Sequence, residues 1–286
     1  MNSAVKSGSG FDAFFGGTMA LAKRELIRFL RQPTRLVGAI GQPVVFWILF
    51  GAGLGGSFKA PEWAAVLERP LTYQEYFLPG VAVLIVMFTA IFSTISIIED
   101  RREGFLQGVL AAPVPRSVIV MGKVLGGAGM AVMQAVVFLL VAPLLSFVGL
   151  SPGLQIEISF TSGLLAVAFL GLIAVELTAL GVVIAWPMSS TQGFHAIMSI
   201  FLMPMWLVSG AFFPGDGTGW LSWIIRINPL TYGVAGLRRL IYDGQLPSTA
   251  ALPSMLLCVL VTLGFTILYM AVAVALVNRP GQHNVT

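Results

Sequence analysis

Apolar residues run through this chain in long unbroken blocks, not at the two-residue spacing of a half-buried strand or the 3.6-residue spacing of a half-buried helix. Leu36 to Phe58 carries no charge between Arg35 and Lys59, and Tyr76 to Ile98 carries none between Glu75 and Glu99. A third block is uncharged from Val124 to Ile156, longer than one crossing needs, and Pro152 and Gly153 mark its exit. From Ile158 the chain stays apolar to Trp186, interrupted only by Glu176. The turn PMSSTQG, 187–193, separates that block from a fifth at about 194–213, and a sixth runs from about 250 to 277. A helix needs roughly 20 residues to cross about 30 Å of hydrocarbon. The blocks therefore predict an all-α membrane protein with six spans, at about 36–58, 76–98, 117–149, 160–186, 194–213 and 250–277.

Three segments between the blocks stand out. In TMALAKRELIRFLRQP, Arg24, Arg28, Arg31 and Arg35 share one helical face, and Met19, Ala22, Leu26, Phe29 and Leu30 share the other. That pattern predicts an amphipathic helix over 18–34 lying on the membrane surface, after a flexible stretch 1–17. In EDRREGFLQGVLAAPVPR, five charged residues, Glu99, Asp100, Arg101, Arg102 and Glu103, precede Gly104. Phe105, Leu106, Val109 and Leu110 then recur at helical spacing up to Pro113, which predicts a short amphipathic helix with a rigid exit, with an ordinary solvated loop as the other reading. The third segment, FFPGDGTGWLSWIIRINPLTYGVAGLRRLIYDGQLP, carries Trp220, Trp223, Ile224, Ile225, Leu230 and Leu237. It predicts two short helices dipping into the membrane and hinged at Asn228-Pro229, with interfacial anchoring of the tryptophans as the other reading.

Composition supports the membrane and narrows the chemistry. Hydrophobic residues make up 57% of the chain, charged residues 10%, and the mean hydropathy is +0.91; a soluble domain carries about a quarter charged residues. With the N-terminus inside, the inner segments hold Lys6, Lys23, Arg24, Arg28, Arg31, Arg35, Arg101, Arg102, Arg116, Lys123 and Arg279. The outer ones hold Lys59, Arg69, Arg226, Arg238 and Arg239. The positive-inside bias then sets both termini, including the tail 278–286, in the cytoplasm. The net charge of +4 is accounted for by those edges, so no nucleic-acid partner is expected. Cys258 is the single cysteine, and no cleavable signal peptide is read in MNSAVKSGSGFDAFFGG.

Catalytic motifs are missing. Gly122-Lys123 is followed by Val124 and lacks the glycine five positions before Gly122 that a phosphate-cradling loop needs. No H-E-x-x-H, cysteine pair or G-x-S-x-G is present, and His195 and His283 lie on different segments. No catalytic or metal-binding residue and no resident cofactor is expected. Glu176 is an acid inside a span, where a charge costs roughly 2.5–3.5 kcal/mol at the helix centre by insertion scales. It predicts a proton or substrate site together with His195, or a structural carboxyl bonded by Thr178 or Gln134. Gly51 with Gly55, and Gly122 with Gly126, have the spacing that lets helices approach closely.

Taken in order, the basic helix, YQEYFLPGVAVL, EDRREGFLQGVLAAPVPRSVIVMGKVLGG, FLMPMWLVSGAFFP and GWLSWIIRINPLTYGVAGLRRL resemble the permease subunits of type-2 ATP-binding-cassette exporters over nearly the whole chain. The resemblance implies that Glu99 to Ala112 is a coupling helix seated on a separate cytoplasmic ATPase. Glu103-Gly104 stands at the family's Glu-Gly, and Pro113 with Pro115-Arg116 matches its Pro-x-x-Arg exit. Phe105 and Gln107 depart from a commoner Thr and Glu. The turn 187–193 would be a second contact. ATP and Mg would be bound by that partner chain, and a second copy or a paralogous permease would complete the pump in the bacterial inner membrane. The likeness is greatest to drug-type exporters of hydrophobic or amphipathic cargo; polysaccharide and lipo-oligosaccharide exporters share the motifs. A proton-coupled carrier using Glu176 would instead show internal repeats, and none is found; an intramembrane enzyme would need a polar constellation that is missing.

Overall fold

In hydrocarbon a backbone has no water to bond, so an apolar block closes its hydrogen bonds on itself as a helix. A computed structural model describes residues 10–61, 63–64, 67, 70–150, 154, 156, 158–213, 219–242 and 252–279. Among them six helical stretches are long and apolar enough to span: Val37–Ser57, Tyr73–Arg102, Ser117–Val148, Phe160–Ala185, Thr191–Ala211 and Met255–Asn278. They fall on the six predicted blocks. In chain order the helices are α1 Gly10–Leu30, α2 Pro33–Leu54, α3 Tyr73–Ser93, α4 Ile95–Arg102, α5 Phe105–Ala111 and α6 Ser117–Val141. There follow α7 Phe160–Ala185, α8 Thr191–Trp206, α9 Trp220–Ile227, α10 Pro229–Ile241 and α11 Met255–Asn278.

Caps set where the spans begin. Thr72 Oγ1 accepts from the Glu75 backbone N–H at 3.2 Å while Glu75 Oε2 accepts from the Thr72 N–H at 3.1 Å. This reciprocal box, worth on the order of 1 kcal/mol, opens α3. Ser159, Ser190 and Ser254 cap α7, α8 and α11 in the simpler one-bond way. Helix α3 is the central post. In its most apolar stretch 83% is buried inside the protein, against 11% for the α2 span and 22% for α11, and α2, α6, α7 and α10 all pack on it.

Two spans are broken, and both breaks have a local cause. After α3, Ser93, Thr94 and Ser96 hydroxyls donate to the carbonyls of Ala90, Ile91 and Ser93. Such back-bonding competes with the helical ladder and bends it, so α4 leaves α3 at Thr94. The span of α8 ends in a wide π-turn, Leu207–Ala211, with Gly210 at φ +75°. That left-handed backbone suits glycine and turns the Gly210 carbonyl out of the ladder.

Helix α1 begins at Gly10, inside the stretch expected to be flexible, and stops at Leu30, short of 34. Proline cannot donate a backbone hydrogen bond, and Pro33 instead starts α2. Arg35 thus belongs to α2, not to α1. Nor does α1 lie apart from the bundle, because it packs along α6. A Cβ at Gly122 would stand 2.5 Å from Leu21 Cβ, and one at Gly126 would stand 2.7 Å from Glu25 Cβ, so this glycine pair is the seat of α1. In the other pair, Gly51 lies against the Gln74 side chain and Gly55 faces open space. The exit expected at Pro152-Gly153, residues 1–9 and the tail from 280 lie outside the described residues.

Candidate functional site

Two polar constellations lie at opposite ends of the bundle. The first is built on the charge cluster that ends α4. Asp100 is fully buried and sits where α1, α4 and α6 meet. Its Oδ1 accepts from Arg24 Nη2 at 2.7 Å and Arg28 Nη1 at 2.9 Å; its Oδ2 accepts from Arg24 Nη1 at 3.1 Å and from Lys123 Nζ. A carboxylate has about four lone-pair positions, so all are filled. Lys123, two turns into α6, donates also to Glu25 Oε1 at 2.8 Å and Ser96 Oγ at 2.9 Å, which uses its three protons. Arg28 reaches Glu99 at 2.8 Å and Glu103 at 3.7 Å. Burial disfavours the Arg24 cation, yet hydrogen bonding and charge from Asp100, with Glu25 and Glu103, hold its pKa above the ordinary value.

The arginines of the cluster turn the other way. Arg101 donates to the carbonyls of Met188 at 2.8 Å and Trp186 at 2.6 Å, and Arg102 donates to Ser189 at 2.6 Å. These bonds fix the turn between α7 and α8 to α4. Arg116 donates to Val277 at the end of α11, at 3.4 Å. One run of charges thus joins α1, α4, α6 and the 186–189 turn.

This corrects part of the sequence reading. Asp100 and Leu106 are buried and Arg101 is occupied internally, because each finds partners within the chain that a solvent-facing loop would lack. Glu103, Gly104, Phe105, Gln107 and Gly108 face outward, as do Pro113 and Pro115. Helix α5 stops at Ala111, before Pro113, with Val109 and Leu110 half-buried. Phe105 carries the Arg24 guanidinium 3.7 Å from its ring centroid, so the departure from threonine has a local partner. Arg31 is exposed and has no ion pair among the described residues. Sequence reasoning passed over Glu25 and Lys123 as acting groups; the Gly122–Gly126 spacing was the signal that could have set α1 beside Lys123.

Glu176 and His195 do not form a site together. His195 is exposed, lies tilted against Phe92 at 5.2 Å between ring centroids, and lines a cavity of about 270 Å³ with Phe29, Gln42, Phe88, Thr89 and Ser93; Glu176 is not among its walls. Glu176 is buried and its Oε1 has no hydrogen-bond partner among the described residues. The partners expected for it do not bond it: the Thr178 hydroxyl donates to the Ala174 carbonyl, and Gln134 Oε1 accepts from the Thr89 hydroxyl.

The second constellation lies at the other end, around the hinge. Asn228 Oδ1 accepts from the Leu230 N–H at 3.0 Å and caps α10, while its Nδ2 donates to the Met205 carbonyl at 2.6 Å. Pro229 suits the first position of the helix. Helix α10 is inserted among α3, α7 and α11, with Gly236 against Phe169 and Cys258. Helix α9 is not inserted: Trp220, Trp223 and Ile227 are exposed. The two expected dips are thus one buried helix and one surface helix. Buried Arg238 donates to the carbonyls of Tyr76 at 3.2 Å and Gly210 at 3.1 Å and lies over the rings of Tyr76 and Trp63.

The comparisons with known proteins agree with this architecture. The model of the ABC-2 type transporter family matches residues 17–242. A putative transport permease ycf38 of Cyanophora paradoxa is 29% identical over 227 residues, covering 79% of this chain and 74% of the relative. The ycf38 permease of Pyropia yezoensis is 30% identical, covering 77% and 72%. The daunorubicin resistance ABC transporter permease protein DrrB1 of Streptomyces coeruleorubidus is 24% identical over the same shares, 77% and 72%.

Proposed function

Because the chain belongs to the ABC-2 type transporter family, we propose that this multi-pass membrane protein is the permease of an exporter driven by a separate cytoplasmic ATPase. The ionic joint carries the reading. The exposed edge of α5 and the 186–189 turn offer a surface for the ATPase, and Arg101, Asp100 and Lys123 tie that surface to α1 and α6 without a free joint. ATP binding and Mg chemistry belong to the partner; force on α5 then moves α1, α4 and α6 as one body. Both termini lie in the cytoplasm of the bacterial inner membrane, and a second copy or a paralogous permease completes the path.

For cargo, the cavity beside His195 favours a hydrophobic or amphipathic molecule, since Phe29, Phe88 and Phe92 dominate its wall and Gln42, Thr89 and Ser93 supply a few polar contacts. The drug-resistance name of one relative supports the same class. The test is copurification in gentle detergent. Wild type should bring down a Walker-motif ATPase, and Glu103→Arg with Gln107→Arg, both exposed, should lose it with the fold intact. A folded wild type with no ATPase would sink the proposal. The partnerless Oε1 of Glu176 favours a second reading, a proton-coupled carrier. Glu176→Gln that abolishes transport while ATPase association persists would select it.

A further inference from the structure

We propose that the end of the bundle around Arg238 holds a binding pocket for a phosphate-type oxyanion, presented by an anionic lipid headgroup or free in solution. Several segments of that end meet there. A cavity of about 220 Å³ is walled by Trp63 ahead of α3, Tyr76 of α3, Ser209 and Gly210 of the π-turn, Arg226 of α9, and Thr231 and Arg238 of α10. Among the described residues its walls carry two arginines and no carboxylate.

Arg238 is 3% exposed, and a buried charge ordinarily has every donor engaged. Among the described residues only Nη2 is bonded, to the Tyr76 and Gly210 carbonyls, and Nε has no partner. The rings of Tyr76 and Trp63, 4.4 and 5.4 Å from the guanidinium carbon, hold the flat cation by its faces. A guanidinium donates in its plane, so stacking leaves that edge available to a planar or tetrahedral oxyanion. Water would satisfy the N–H but leave the charge uncompensated. Arg226 stands at the rim with its guanidinium unpaired among the described residues. Tyr232 and Thr231 donate to the Arg226 and Ile225 carbonyls at 2.9 and 2.7 Å, which fixes that rim. The exposed Trp220 and Trp223 on the same short helix suit the headgroup layer, where a phosphodiester would be met. The inference does not depend on an ATPase.

The test uses the full chain purified in detergent and stripped of lipid. Native mass spectrometry would follow retention of phosphatidylglycerol and phosphatidylcholine, and inorganic phosphate would be added as competitor. Wild type should hold phosphatidylglycerol about tenfold more tightly than phosphatidylcholine, and Arg226→Gln should lose about tenfold of that affinity at unchanged melting temperature. Arg238→Gln should abolish it, but that change can also unseat the π-turn, so Arg226 is the deciding position; Arg31→Gln on the opposite face should change nothing. Displacement by millimolar phosphate would mark a free-anion site, and resistance to it a headgroup site; both support the pocket. Equal retention of the two lipids with no effect of phosphate, or undiminished binding in Arg226→Gln, would overturn it.

Discussion

Lys123 and Arg238 are both buried cations at helix junctions, and they are treated in opposite ways. Lys123 spends all three protons on Glu25, Ser96 and Asp100, so nothing is left for a ligand and the ion is a fastener. Arg238 keeps Nε unbonded beside a cavity, so the ion retains binding capacity. Saturation of donors, more than burial or charge, separates a joint from a receptor in this fold. It also fits the expected division of labour, in which one end takes force from a partner and the other meets the far leaflet.

The contrast breaks first at Asp100. Asp100→Ala would leave Arg24, Arg28 and Lys123 facing one another without their shared acceptor. Removing one partner of a buried pair costs about 3–5 kcal/mol, so little folded protein should survive detergent extraction, as size-exclusion profiles would report. A well-behaved Asp100→Ala protein of wild-type melting temperature would mean the joint is not what holds α1. Next in size is Gly126→Val, which forces a branched side chain against Glu25 and overpacks the α1–α6 contact. A cost of about 1–3 kcal/mol is expected, visible as a lower melting temperature, while the same change at Gly55 in open space should be nearly silent.

How much of this was open to sequence reading follows from the same residues. The spans were legible because an apolar run of twenty residues has few other fates, and Asn228-Pro229 was legible because proline bars the helix from continuing through it. The ionic joint was not. Asp100 lies 76 positions from Arg24 and 23 from Lys123, and no local pattern states which of eleven basic residues on one face a carboxylate will choose. Glu176 misled for the same reason. Thr178 is only two positions away, which on a helix turns it to the other side, and its hydroxyl is taken by the Ala174 carbonyl. Insertion of α10 but not α9 was equally hidden, since both are rich in apolar residues and only the small Gly233 and Gly236 distinguish the helix that fits between neighbours.

A smaller effect separates the two directions in which the charge cluster points. Arg101→Ala removes the bonds to Trp186 and Met188 but leaves the Asp100 joint intact. Hydrogen bonds to a charged group contribute about 1.5–3 kcal/mol, and exposure of the turn reduces the loss to the lower end. Stability should fall modestly, while ATPase-driven transport falls further, because the 186–189 turn would be held to α4 only through Arg102 at Ser189. Transport that drops only in proportion to folded protein would show the turn to be a passenger.

The smallest effect tests the stacking of Arg24 on Phe105, the point where the exposed edge of α5 touches the joint. Phe105→Leu keeps the apolar surface and removes the aromatic face. A cation–π contact at a partly exposed site is worth about 0.5–1 kcal/mol, and Arg24 retains its bidentate hold on Asp100, so the melting temperature should move by a degree or two at most. ATPase association should be preserved, since Phe105 presents similar bulk outward. If Phe105→Leu instead uncouples transport from ATP hydrolysis at full association, the stacked pair is itself part of the force path, and the joint extends one residue further toward the partner than its ion pairs indicate.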